Sequence, residues 1–193
     1  MNFDLFHRLT FGLLFLALGI LTFVLLERFI YYLYLDRRAG TIARGITAAN
    51  GDPVRRFPPL SSRDVMSRSL AEYLEFQGRD MPRERVDDLS TALVLHVDGR
   101  VHARLWVLDT IVTAAPLLGL LGTIFGIMQT FTALAAGGVS DPAAVSRGIG
   151  TALLATAVGI ATALYGLLGH NLLHRQADHL TDLFKCFLLR TTV

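Results

Sequence analysis

The chemistry this sequence offers lies in hydroxyls and small residues. The stretch PLLGLLGTIFGIMQTF, Pro116 to Phe131, is almost wholly apolar, yet it holds three glycines, two threonines and a proline. On a helix, Pro116, Gly119, Thr123, Gly126 and Thr130 fall on one face at spacing 3-4-3-4, and Gly122 adds another small residue. A second stretch sorts the same way. Ala152, Thr156, Gly159, Ala163 and Gly166 share a face at spacing 4-3-4-3, flanked by Thr151 and Ala155. Such faces have two physical uses. Small residues let helix backbones approach closely where lipid supplies no hydrophobic push. Hydroxyls donate and accept, so they can order water along a polar path, or they can be satisfied by carbonyls of their own helix. Both uses stay open for Thr123, Thr130, Thr151 and Thr156.

Other chemistry is thin. His170 and His174 stand one helical turn apart, with Asp178 a turn further, a spacing that can hold a metal. We read them instead as interfacial histidines and expect no metal and no cofactor. There is no P-loop, no HExxH, no GxSxG and no dinucleotide-binding glycine pattern, so the sequence does not read as an enzyme and has no candidate catalytic residue. Cys186 is the sole cysteine, which excludes an internal disulfide and reads as inert packing. The net charge of +2 gives no reason to expect nucleic acid as a partner.

The elements that must carry these faces are membrane helices. The chain has 193 residues and is 52% hydrophobic, with a mean hydropathy of +0.48. Residues 9–26, 110–140 and 148–174 carry no Asp, Glu, Lys or Arg. The first of these would be about 27 Å long as a helix, close to the roughly 30 Å of a bilayer's hydrocarbon core. We expect an all-α membrane protein forming a single membrane domain over 1–193. Its spans are near 9–26, 113–135 and 148–172, with a loop at 27–109, a short loop at 136–147 and a tail at 173–193. The first span is read as retained: its apolar core is long for a signal peptide, and Glu27-Arg28 follows it. Glu27 and Arg28 read as a solvated interfacial ion pair, and Tyr31, Tyr32 and Tyr34 as an interfacial aromatic group.

Thirteen of the 18 basic residues lie in the 27–109 loop. The positive-inside rule therefore places that loop and the tail in the cytoplasm, and the N-terminus and the 136–147 loop outside. Within the loop, Val86, Leu89, Leu93, Val97, Val101, Leu105 and Leu108 follow a helical period. They predict one long helix from about 84 to 135 that reaches well into the cytoplasm. Leu173, Leu180, Leu183, Phe184 and Phe187 predict a similar extension of the third span. GDPVRRFPPLSS, residues 51–62, reads as a loop.

Taken together, these stretches resemble a known family. PLLGLLGTIFGIMQTF is similar to the second-span signature of the ExbB/TolQ/MotA proton-channel family, in its ExbB/TolQ branch, and GIGTALLATAVGI, Gly148 to Ile160, is similar to its third-span signature. His170-Asn171 through Arg175-Gln176 and Glu27-Arg28 resemble what flanks the third and first spans, which adds Asn171 and Arg175 to the interfacial residues. The resemblance implies a bacterial inner-membrane homo-oligomer, usually a pentamer. It would surround single-span partners of the ExbD or TolR kind whose membrane aspartate carries protons, and act on a TonB- or TolA-like protein. It also implies that Thr123 and Thr156 face a central pore. One departure stands out: GIGTAL places Thr151 where the family commonly has glutamate. The short chain favours an ExbB-like role in TonB-dependent transport over a TolQ-like role in envelope integrity. A non-conducting membrane scaffold is the reading from a different class.

Overall fold

The computed structural model describes residues 3–48, 64–77, 82–137 and 142–191. Among the described residues all the regular structure is helical. It comprises α1 (Phe3–Ala48), α2 (Val65–Gln77), α3 (Arg83–Val101), α4 (Leu105–Gly137) and α5 (Pro142–Thr191). Among the described residues, three stretches are long and apolar enough to cross a membrane: Leu5–Thr41, Leu105–Ala135 and Pro142–Leu189. They contain the three expected spans. The expected loop at 51–62 lies outside the described residues, as does the middle of the 136–147 loop.

The chain divides into two compact units, one of Met1–Leu26 and Arg104–Asn171, the other of Glu27–Ala103 and Leu172–Val193. The first unit holds the small-residue faces. Its outer surface is apolar, with Phe15, Phe23, Leu117, Leu120, Leu153 and Leu168 all exposed. That is the surface expected of helices whose solvent is lipid, because a water-soluble monomer rarely exposes large contiguous apolar patches. Pro116 lies inside α4. It cannot donate a main-chain hydrogen bond to Val112, a loss that membrane helices tolerate where neighbouring helices pack against the site. Pro142 opens α5, where a missing N–H costs nothing because the first-turn donors lack intrahelical partners anyway.

The second unit has its own core. Tyr32, Leu35, Leu70, Tyr73, Val97, Val101, Leu180 and Phe184 are fully or almost fully buried, and α2 packs on α3. The tail stripe is buried at Leu173, Leu180, Phe184 and Phe187. Asp64 directly precedes α2, where a carboxylate favours the positive end of the helix dipole. It is buried, with the Arg38 Nε 3.7 Å away. The Tyr32 hydroxyl donates to the Val101 carbonyl at 2.7 Å. Val101 ends α3, where main-chain carbonyls have run out of helical partners, so the phenol fills a vacancy that the helix end creates.

The single helix expected from about 84 to 135 is corrected here. It is interrupted at residues 102–104, between α3 and α4. Arg104 has φ +70°, the left-handed region that ends helices. The His102 backbone N–H still donates to the Asp98 carbonyl, at 2.9 Å, and the next turn starts afresh with Val107 N–H donating to the Arg104 carbonyl, at 3.1 Å. Gly99 stays within α3, although glycine is a poor helix former.

Candidate functional site

The two small faces of the first unit meet each other. A Cβ added to Gly119 would stand 2.8 Å from the Ala155 carbonyl oxygen and 3.1 Å from the Thr156 Cα. A Cβ on Gly159 would stand 2.6 Å from the Ala115 carbonyl oxygen and 3.0 Å from the Gly119 Cα. Both positions are backbone against backbone, and only glycine fits without a shift. Gly122 and Gly126 face the Ala155 and Ala152 methyls across the same seam. Ala152 and Ala155 are buried and Ala163 half-buried, whereas Gly166 turns toward Val112 and Leu21.

The threonines divide by what they bond. The Thr123 hydroxyl donates to its own helix at Leu120 O, 2.6 Å away. Thr130 donates to Gly126 O, and Thr151, which is exposed, to Gly148 O, each at 2.8 Å. Thr156 differs. Its hydroxyl is aimed off α5, 3.2 Å from the Gly119 carbonyl oxygen on α4 and 3.4 Å from the Thr123 hydroxyl. Because the Thr123 proton points at Leu120 O, the Thr123 oxygen is free to accept. The single Thr156 proton is thus shared between the Gly119 carbonyl and the Thr123 oxygen, and Thr156 and Thr123 form a short hydroxyl relay across the seam. Neither α4 nor α5 carries an ionisable Asp, Glu, Lys or Arg over 110–137 or 148–174, so the relay can hydrate or orient a charge but has none of its own.

Several polar residues sit where no local pattern marked them. The His7 ring packs beside Gly126, at 3.2 Å from the position a Cβ would take there, and lies tilted against Phe11 with centroids 5.0 Å apart. Its Nε2 is buried and makes no hydrogen bond among the described residues. Arg28 is buried rather than solvated. Its Nε lies 3.9 Å from the Glu27 carboxylate and its guanidinium 5.4 Å from the centre of the Tyr31 ring. Asn171 and Arg175 are exposed.

In the second unit His174 and Asp178 gain a companion from a distant segment, while His170 is not part of the group. His102, just past the end of α3, comes together with His174 and Asp178. Partial burial pushes the Asp178 carboxyl up, but its hydrogen bonds with His174 and His102 outweigh that and hold it below the usual carboxylate range. Nothing local in the sequence marks His102 for this role. It lies 76 residues from Asp178.

Three membrane-length helices with a polar seam between two of them define a multi-pass membrane protein. Residues 61–185 match the MotA/TolQ/ExbB proton channel family, and the chain belongs to that family. A relative from Methanothermobacter thermautotrophicus, named as a biopolymer transport protein ExbB homolog, is 32% identical over 77% of this chain and 53% of its own length. The ExbB-like 2 protein of Helicobacter pylori is 36% identical over 53% of this chain and 67% of its own length. A Helicobacter pylori protein named biopolymer transport protein ExbB is 40% identical over 42% of this chain and 56% of its own length. The chain thus spans about half the length of the Methanothermobacter relative it matches.

Proposed function

We propose that this chain is the ExbB-like subunit of an energy-transducing motor in the bacterial inner membrane. In this reading its copies assemble, as a pentamer, around a single-span partner of the ExbD or TolR kind. A membrane carboxylate on that partner takes up and releases protons. The movement that results passes to a TonB-like protein and powers outer-membrane transport. The N-terminus lies outside and the tail in the cytoplasm.

The observation that carries the reading is the Thr156–Thr123 pair in two helical stretches, 110–137 and 148–174, that hold no Asp, Glu, Lys or Arg. Thr156 is only half-buried, so one side of the relay remains open to a neighbour. A hydroxyl stabilises an approaching carboxylate by hydrogen bonding but carries no charge to trap it, as a fixed lysine or arginine would. Proton movement through a membrane needs an ionisable group, and here a second chain has to supply it. Thr130 and Thr151 extend the same hydroxyl lining toward the end of the pair nearest the 136–147 loop.

Two measurements test this. The chain is co-expressed with a single-span protein bearing a membrane aspartate, and the intact complex is weighed by native mass spectrometry. Five copies with bound partner support the reading. Thr156→Val is then compared with the parent for proton-driven transport. Normal assembly with lost transport supports the role of Thr156, and normal assembly with full transport refutes it.

The Gly119–Gly159 contact favours one competing reading, a non-conducting scaffold in which the small faces serve packing alone. That reading predicts a complex without an aspartate-bearing partner and no proton dependence. A TolQ-like role in envelope integrity differs only in the partner, so it is separated by which single-span protein co-purifies.

A further inference from the structure

The Asp178 carboxylate sits between two histidine rings. Its Oδ1 lies 3.1 Å from the His102 Nε2, and its Oδ2 lies 3.1 Å from the His174 Nδ1. The rings meet edge to face with centroids 5.1 Å apart, so both turn a nitrogen toward the same acid. One ligand atom from each residue lies within 4.8 Å of the other two.

The other side of His102 determines what its Nε2 can be. The Nδ1 lies 3.1 Å from the Asp98 main-chain carbonyl oxygen and 3.1 Å from the Asp98 carboxylate. Both groups only accept, so Nδ1 carries the proton. The Asp98 carboxylate is itself held by the Thr181 hydroxyl at 3.2 Å. A neutral His102 then presents a lone pair at Nε2 to a carboxylate oxygen 3.1 Å away. That spacing calls for a positive centre between them: either a second ring proton, which makes the contact a charge-assisted hydrogen bond, or a bound metal ion. A metal-bound histidine characteristically donates its other ring N–H to a carboxylate or a main-chain carbonyl, which is the arrangement seen here.

We propose that His102, His174 and Asp178 form a binding site for one divalent transition-metal ion of the zinc class, with Asp98 and Thr181 orienting His102. The donor set fits. Imidazole nitrogens and a carboxylate suit zinc, nickel and cobalt better than calcium or magnesium, which take oxygen ligands. Bonds of about 2.0–2.1 Å in a tetrahedron place ligand atoms roughly 3.3 Å apart; each imidazole nitrogen lies 3.1 Å from a different one of the two Asp178 oxygens, and the carboxylate must turn to offer a single oxygen to both. All three side chains keep some exposure, so an ion can enter and solvent can complete its coordination. Bound there, it would clamp the end of α3 to α5. The site does not depend on the transport reading.

The test uses the untagged full chain, purified in detergent and stripped with a chelator. Zn2+ is titrated calorimetrically and Co2+ is followed by its visible spectrum. The expected result is one ion per chain and a tetrahedral Co2+ spectrum. Affinity should fall at least tenfold in His102→Gln, His174→Gln and Asp178→Asn, and about tenfold in Asp98→Asn. His96→Gln should bind like the parent. Circular dichroism checks that each variant keeps its helices. The Co2+ spectrum of the parent chain needs no variant, so a folding failure leaves the test intact. No saturable Zn2+ binding, an octahedral Co2+ spectrum, or unchanged affinity in a folded His102→Gln protein would each overturn the proposal.

Discussion

The Thr156 hydroxyl of α5 lies 3.2 Å from the Gly119 carbonyl oxygen of α4, and it can make that bond only because Gly119 has no side chain in the way. The two features depend on each other. Close approach brings the acceptor within reach, and the bond in turn fixes the rotation of one helix against the other.

Thr156→Val keeps the shape and removes the donor, so it should lower stability in detergent by about 0.5–1.5 kcal/mol, the usual net worth of a hydrogen bond. Thr156→Ser retains the hydroxyl and should lose less. Chemical unfolding followed by circular dichroism compares the two. A valine variant as stable as the parent would mean that the bond contributes nothing.

Gly159→Ala should be destabilising by about 1–3 kcal/mol, because its Cβ would press on the Ala115 carbonyl and the Gly119 Cα, neither of which can rotate away. Gly12→Ala is the control. Nothing lies within 4 Å of a Cβ there, and alanine is the better helix former by about 0.5–1 kcal/mol. Thermal melts should therefore move in opposite directions for the two variants.

Tyr32→Phe strands the Val101 carbonyl in a buried site. The expected cost is about 1–3 kcal/mol, and faster amide hydrogen exchange should appear at the end of α3 more than elsewhere. Exchange that rises uniformly, or not at all, would contradict the specific role of the phenol.

Arg104→Gly should be more stable than Arg104→Val. Both remove the same side chain, so any interaction made by the guanidinium cancels in the comparison. What remains is backbone preference: φ +70° suits glycine, whereas an L residue pays about 1–2 kcal/mol there and a β-branched one more. Equal melting temperatures for the two variants would show that the interruption is not held in the left-handed region.

Much of the architecture was legible because membrane helices write themselves in long charge-free runs, and the described residues of the three runs, 9–26, 110–137 and 148–174, each fall within a helix. The stripe from Val86 to Leu108 also marked helix, with Leu93, Val97, Val101, Leu105 and Leu108 all buried. The break at 102–104 was hidden by that same stripe. Val101, Leu105 and Leu108 keep the helical period straight across it, and His102-Ala103-Arg104 contains no glycine or proline. The small faces were legible as faces, but periodicity names a side of a helix and not what that side meets. Here α4 and α5 meet each other. The pairing of His102 with Asp178 depends on folding that brings distant segments together, and no local pattern records it.

The seams of the first unit differ in hardness. Where α4 meets α5, main chain rests on main chain, and sliding either helix would drive Gly159 into the Ala115 carbonyl. Where α1 meets α5, Gly166 and Gly169 rest instead on the branched ends of Leu21 and Leu25, which can change rotamer at small expense. A mechanical stroke in this unit would therefore carry α4 and α5 as one rigid blade, with the slip plane along the leucines of α1.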